Sequence, residues 1–149
     1  MKLGKALVFC ASCLSAVLDG CGRNSSSAPR DESVESILTP LQVLEEAYSD
    51  RRSDIPVVLK GVVDKVLRDD NEGGRHQRFI LELENGQTVL VTHNIDIAPR
   101  IDGLKPGEPI VVSGEYVFNE LGGVVHWTHH DPNGSHQGGW IIHHNRKYE

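Results

Sequence analysis

At 149 residues, with 15 Lys and Arg against 21 Asp and Glu, the chain carries a formal charge of −6. That length suits one domain of ordinary size. The acidic balance argues against a long nucleic-acid partner, because a phosphate backbone rewards clustered Lys and Arg.

The first residues read as an export signal. Lys2 and Lys5 make a short basic start, and Ala6 to Leu18 is mostly small and apolar. The run falls short of the roughly 20 residues of a membrane-spanning helix but suits a signal-peptide core. "LDGC", Leu18 to Cys21, resembles a bacterial lipobox, from which Asp19 departs. Cleavage before Cys21 would discard Cys10 and Cys13 and leave a single thiol. A lone free cysteine is odd in an oxidising compartment, whereas a lipidated one is expected. Residues 1–20 are therefore read as a lipoprotein-type signal peptide and Cys21 as the lipidation site, anchoring an exported chain to a membrane facing the periplasm. Gly22, where an inner-membrane retention aspartate often stands, favours the outer membrane. Residues 21–38, polar and serine-rich, read as a flexible tether. Losing two lysines and one aspartate with residues 1–20 carries the formal charge from −6 to −7.

Residues 39–149 read as one domain. "TPLQVLEEAYSDRR" opens with a helix start: Thr39 caps, Pro40 takes the first helical position and Gln42 completes a capping box. Leu41, Leu44, Ala47 and Tyr48 follow at helical spacing, which predicts an amphipathic helix. From Pro56 the period becomes two. Val57, Leu59, Val63 and Leu67 share a face, and Gly61 marks a bend or bulge. In "QRFILELENGQTVLVTH", Phe79, Leu81 and Leu83 point one way and Arg78, Glu82 and Glu84 the other. Asn85-Gly86 predicts a two-residue hairpin turn, pairing Glu84 with Gln87, Leu81 with Leu90 and Arg78 with His93. A fourth strand runs from Pro109 to Phe118 and a fifth from Val124 to His130. "DPNG" (Asp131 to Gly134) reverses the chain into a short sixth strand over Gly139 to His144. The fold expected is mainly β: a small OB-like five-stranded barrel with an N-terminal amphipathic helix and an extra C-terminal β-hairpin strand.

"RHQRFIL" (Arg75 to Leu81), "HNIDIAPR" (His93 to Arg100) and "GGVVHWTHHDPNGSHQGGWI" (Gly122 to Ile141) resemble a bacterial family, domain of unknown function 3465, from about Leu41 to the C-terminus. The resemblance implies an OB-like, exported protein and carries no activity.

Gly122 to His144 holds six of the chain's eight histidines and both tryptophans. Residues four apart on a strand lie roughly 13 Å apart, so His126 and His130 cannot share an ion. Opposed residues of a hairpin can, at about 5 Å between Cβ atoms. A plain turn at Asp131 to Gly134 places His136 opposite His129, and a bulge at Gly134 places it opposite His130. His129, His130, Asp131 and His136 are thus candidate ligands for a divalent metal such as zinc, with His126, His143 or His144 supplying any remainder. Capped turns and tryptophan stacking are the plainer reading of the same residues. Trp127 lies opposite Gly138 or Gly139, where an indole shields bare backbone; its alternative role is an aromatic ligand platform.

A second constellation follows from the hairpin register. Arg78 and His93, with Arg100 beyond, are candidate ligand contacts on the face of the second and third strands, which in OB-folds commonly receives ligands. Asn94 and Asp96 read as loop-holding residues. Topology suggests that one site could join Arg78, His93, His130, Asp131 and His136. Two functions compete. One is a binding module of the cell envelope, holding a small ligand, a metal or an envelope protein through the histidine-rich hairpin. The other is a metal-dependent hydrolase resembling a phosphodiesterase or nuclease, with arginine on phosphate.

Overall fold

The structure, a computed structural model, describes residues 37–149. The expected signal segment, Cys21 and the tether up to residue 36 lie outside the described residues. Among those described, no helix is long and apolar enough to cross a membrane.

Helix α1 spans Pro40–Ser49, and its capping box forms as expected. The Gln42 amide donates to the Thr39 hydroxyl (3.3 Å) and the Thr39 amide to the Gln42 side chain (2.8 Å). Leu44 and Ala47 on its inner face are buried in the core.

Seven strands follow: β1 (Ile55–Val66), β2 (His76–Leu83), β3 (Thr88–Asn94), β4 (Pro109–Val117), β5 (Val124–His126), β6 (Trp140–His143) and β7 (Arg146–Tyr148). They hydrogen-bond in the order β1-β2-β3-β5-β4-β6-β7, and β1 also pairs with β4, which closes the first five into a barrel. β3 and β5 run parallel and the other pairs antiparallel. The chain is therefore mainly β, an OB-like five-stranded barrel with two strands outside it. Phe79, Leu81, Val89, Val91, Val112, Tyr116, Val125 and Ile141 fill the interior, each with no exposed surface. They sit at alternate positions because successive side chains of a strand point to opposite faces.

β1 is long enough to pair on both edges, with β4 over its first two-thirds and with β2 from Gly61 onward. Its irregularity falls at Asp64, between Val63 and Lys65, rather than at Gly61.

The β2–β3 hairpin differs from its expected register by one residue. The turn holds three residues. The Leu83 amide donates to the Gln87 carbonyl, and the Gly86 amide to the Leu83 carbonyl, both at 2.9 Å. Gly86, at φ +81°, forms the bulge. Leu81 thus pairs with Val89, Arg78 with Thr92 and Gln77 with His93. A slip of one residue turns every side chain of β3 to the other face. His93 therefore lies in the interior with no exposed surface, opposite buried Gln77, while Arg78 points outward. The expected Arg78–His93 pair does not form.

The predicted fifth strand is cut short. It ends at His126, and Trp127 adopts a left-handed backbone at φ +51°. β5 and β6 share one edge of β4, with β5 on Glu115–Val117 and β6 on Ile110–Ser113. Between them, residues 127–139 leave the edge as a loop and return. Its base closes where the Gly139 amide donates to the His129 carbonyl at 2.9 Å. β7 was not anticipated. His144 and Asn145, both at positive φ (+48° and +61°), form the two-residue turn that leads into it.

Candidate functional site

The outward face of β2, β3 and β5 changes character along its length. Ile80, Leu90 and Val124 lie side by side across the three strands. One step further come Arg78 and Thr92, with His126 beyond Val124 on the same face; then His76 opposite Asn94. Here the 127–139 loop folds over, and His76, Thr92, Asn94, His126, Trp127 and His129 enclose a pit of about 120 Å³.

The pit rests on a buried polar anchor. The His93 imidazole lies within 3.1 Å of the Pro99 carbonyl through Nε2 and 2.9 Å of the Thr128 hydroxyl through Nδ1. A carbonyl cannot donate, so Nε2 carries the proton and Nδ1 accepts from Thr128. Burial holds the ring below the ordinary histidine range, which keeps it neutral. The side chain thereby joins β3, the loop before β4 and the loop after β5. Gln77 adds a second link, exchanging two 2.9 Å hydrogen bonds with the backbone of Ile101.

Above this anchor stands Trp127, 37% exposed. Its indole stacks on His136 (centroids 3.9 Å), tilts against His126 (5.0 Å) and meets His129 edge-on (5.9 Å). A bulky residue at positive φ is a strained choice that its surroundings must hold in place; here three imidazoles hold it. The glycine opposite serves Trp127's backbone rather than its ring, since a Cβ on Gly139 would fall on the carbonyl oxygens of Trp127 and Ser113.

Three rings around the loop are oriented in one way. His76 Nδ1 donates to the Gly74 carbonyl (3.2 Å), His129 Nδ1 to that of His130 (2.8 Å) and His136 Nδ1 to that of Gln137 (2.9 Å). Each bond places a proton on Nδ1, so that in the neutral tautomer Nε2 is the acceptor; that of His136 lies 3.8 Å from Asp131 Oδ2. His126 Nε2 is buried with no hydrogen bond, 3.3 Å from Glu115 Oε1 but poorly aligned with it. Burial lowers the pKa of this ring despite that carboxylate.

Of the four expected metal ligands, His129 and His136 meet edge to face at 5.6 Å and His136 Nε2 lies 3.8 Å from Asp131 Oδ2, but they do so within a loop and not across the expected hairpin, since Gly139 bonds opposite His129. Asp131 accepts the amides of Asn133 (2.9 Å), Ser135 and His136 (2.8 Å). These amides hold its carboxyl below the usual range. Its side chain thus organises the turn. His130 is exposed.

The two candidate arginines are engaged in loops. Arg78 donates to the Arg68 carbonyl (3.1 Å) and pairs with Asp70 (3.5 Å). Arg100 grips Asp69 with both terminal nitrogens, and that carboxylate raises its pKa. Asn94 and Asp96 hold their loop as expected. Asn94 accepts the Asp96 amide (2.9 Å), while Asp96 accepts the amide and guanidinium of Arg75, both at 2.7 Å. Arg78, His93, His130, Asp131 and His136 are therefore distributed over an outer face, an interior and a loop, rather than gathered in one site.

A different cluster lies at the start of β4. Among the described residues, the set of three potential ligands whose donor atoms all lie within 4.8 Å of one another is Glu108, His143 and His144. His143 Nε2 is 2.9 Å from Glu108 Oε2, and His144 Nε2 is 3.7 Å from Oε1. Sequence reasoning reached the two histidines only as supplementary ligands and missed Glu108. The available signal was His-His-Asn, since a left-handed turn residue after a strand swings its ring toward its predecessor's.

These features define an OB-like barrel with a histidine- and tryptophan-bearing loop over its β2–β3–β5 face. Residues 33–149 match the family described as "Protein of unknown function (DUF3465)", and the chain belongs to that family. Comparison with curated proteins and with solved structures yields no match.

Proposed function

We propose that this chain is a binding module that receives a small, hydrogen-bond-donating ligand in the pit beneath Trp127. The observation carrying this reading is the partly exposed indole, held at positive φ over a pit lined by His76, Thr92, Asn94, His126 and His129. The tautomers of His76 and His129 leave acceptor nitrogens there, Asn94 and Thr92 add polar groups, and the indole supplies an apolar wall. Few convergent polar groups beside an aromatic surface suit a small ligand. The same face of OB-folds commonly takes ligands.

The envelope setting belongs to the same proposal and rests on sequence. The signal-like start, "LDGC" and the serine-rich segment support a lipoprotein anchored through Cys21 and facing the periplasm. The hydrolase alternative is weaker. The arginines it needs on phosphate are paired with Asp69 and Asp70.

Ligand-observed NMR with a fragment set of small amines, amides and nitrogen heterocycles tests the site. Fragments that bind the wild type and lose contact with Trp127→Ala support it. Fragments that bind both proteins equally would place the site elsewhere. Release of the protein from the membrane fraction by Cys21→Ser tests the anchor.

A further inference from the structure

We infer that Glu108, His143 and His144 form a binding site for a zinc-class divalent cation, separate from the pit and independent of its assignment. The site joins two elements. Glu108 precedes β4, whose Ile110 pairs with His143 in β6. Consecutive strand residues normally point to opposite faces. His144 breaks that rule because its backbone is left-handed, and the two rings stack with centroids 3.9 Å apart and planes 24° apart. A bulky side chain in that conformation at a surface turn gains nothing locally, since glycine or asparagine fits there better.

The donor set matches such an ion. Two imidazoles and a carboxylate are a recurrent zinc shell with a fourth position left open. Zinc bonds of about 2.1 Å in tetrahedral geometry separate ligand atoms by about 3.4 Å. Glu108 Oε2 lies 2.9 Å from His143 Nε2 and its other oxygen, Oε1, 3.7 Å from His144 Nε2, and one donor atom of each residue falls within 4.8 Å of the other two, so small side-chain shifts bring the set to that separation. The carboxylate is already aimed, because Glu108 Oε2 accepts the Lys105 amide at 2.8 Å. A backbone donor behind a ligand carboxylate is the outer support that metal sites carry. His143 is almost fully buried whereas His144 is 64% exposed at its side chain, so the cluster has a rigid wall and an open side for entry. On binding, the His143 ring changes tautomer, its proton moving from Nε2 to Nδ1 by exchange through solvent, and the ion takes the place of that proton between ring and carboxylate.

The test uses the full chain, its three thiols alkylated, titrated with Zn²⁺ against a chromophoric zinc indicator. One equivalent is expected to bind, with NMR shifts of the His143 and His144 rings. His144→Ala, at an exposed turn, and Glu108→Gln should each weaken binding at least about tenfold. The double variant His129→Ala/His136→Ala should leave it within about twofold. No zinc uptake, or uptake lost with His129 and His136 but retained in His144→Ala, overturns the site.

Discussion

His93 and Thr128 meet inside the barrel, ring nitrogen to hydroxyl at 2.9 Å, although 35 residues separate them in the chain. Through this contact the loop that carries Trp127 is fastened to β3, and the Pro99 carbonyl completes the fastening from the other side. Replacing His93 by Leu removes both bonds and leaves the Thr128 hydroxyl and the Pro99 carbonyl facing an apolar side chain. The hydroxyl can still donate to the Thr92 carbonyl at 3.3 Å, which leaves the Pro99 carbonyl unpaired at about 1–3 kcal/mol, so a loss of that size is expected. A urea midpoint unchanged from wild type would contradict it.

The same ring sets a pH dependence. Its folded pKa lies below the ordinary 6.5 because burial disfavours the charged form. Between those two values the unfolded chain binds a proton that the folded one does not. Stability is therefore complete above about 6.5 and declines as pH falls from there toward the folded pKa, by at most about 1.4 kcal/mol per pH unit for one group. Urea melts at pH 7.5, 6.0 and 5.0 should show this decline, and His93→Leu should reduce it, leaving the share of His126, whose pKa burial also lowers. Glu108, Asp96 and Asp131 have lowered carboxyl pKa values, so their contributions persist to lower pH and vanish only below about 4.

Asp131 closes the loop turn by accepting three backbone amides. Asp131→Ala should speed hydrogen exchange of the Asn133 and His136 amides by about fivefold to tenfold, the worth of one net hydrogen bond. Strand amides such as Val91 should be unaffected. Equal acceleration across the barrel would mean that the turn and barrel open together.

Gly139→Ala tests the crowding at the loop's base, where a Cβ meets the carbonyls of Trp127 and Ser113. Overpacking of this kind costs about 1–3 kcal/mol. A changed tryptophan emission spectrum should accompany it, because Trp127 must shift. Unchanged emission and stability would show that the backbone yields freely at this point.

Much of this architecture is legible in the residues. Alternation in Phe79, Leu81 and Leu83 predicts β2, and Thr39, Pro40 and Gln42 predict the start of α1, because both signals are local. The register of β3 is not legible in the same way. Asn85-Gly86 fits a two-residue turn and a three-residue bulged one equally well, and the choice decides whether His93 faces water or core. Phe79, Leu81, Val89 and Val91 make that choice jointly by filling one interior. The site suffers most from such ambiguity. Arg78, Arg100 and Asp131 read as free functional groups until their partners, Asp70, Asp69 and the turn amides, are brought to them by tertiary structure. Glu108 and His143 are 35 residues apart, and only the β4–β6 pairing joins them.

Among the described residues, β7 ends the strand order with a single neighbour. Closing the barrel hides the lateral backbone groups of five strands, but the terminal hairpin exposes a fresh row of them. Such a border can recruit other chains into a growing sheet. Here it is three residues long, and Arg146 and Lys147 occupy two of them. Shortness and positive charge make it a poor template, which keeps neighbouring copies from zipping together where the proteins crowd side by side.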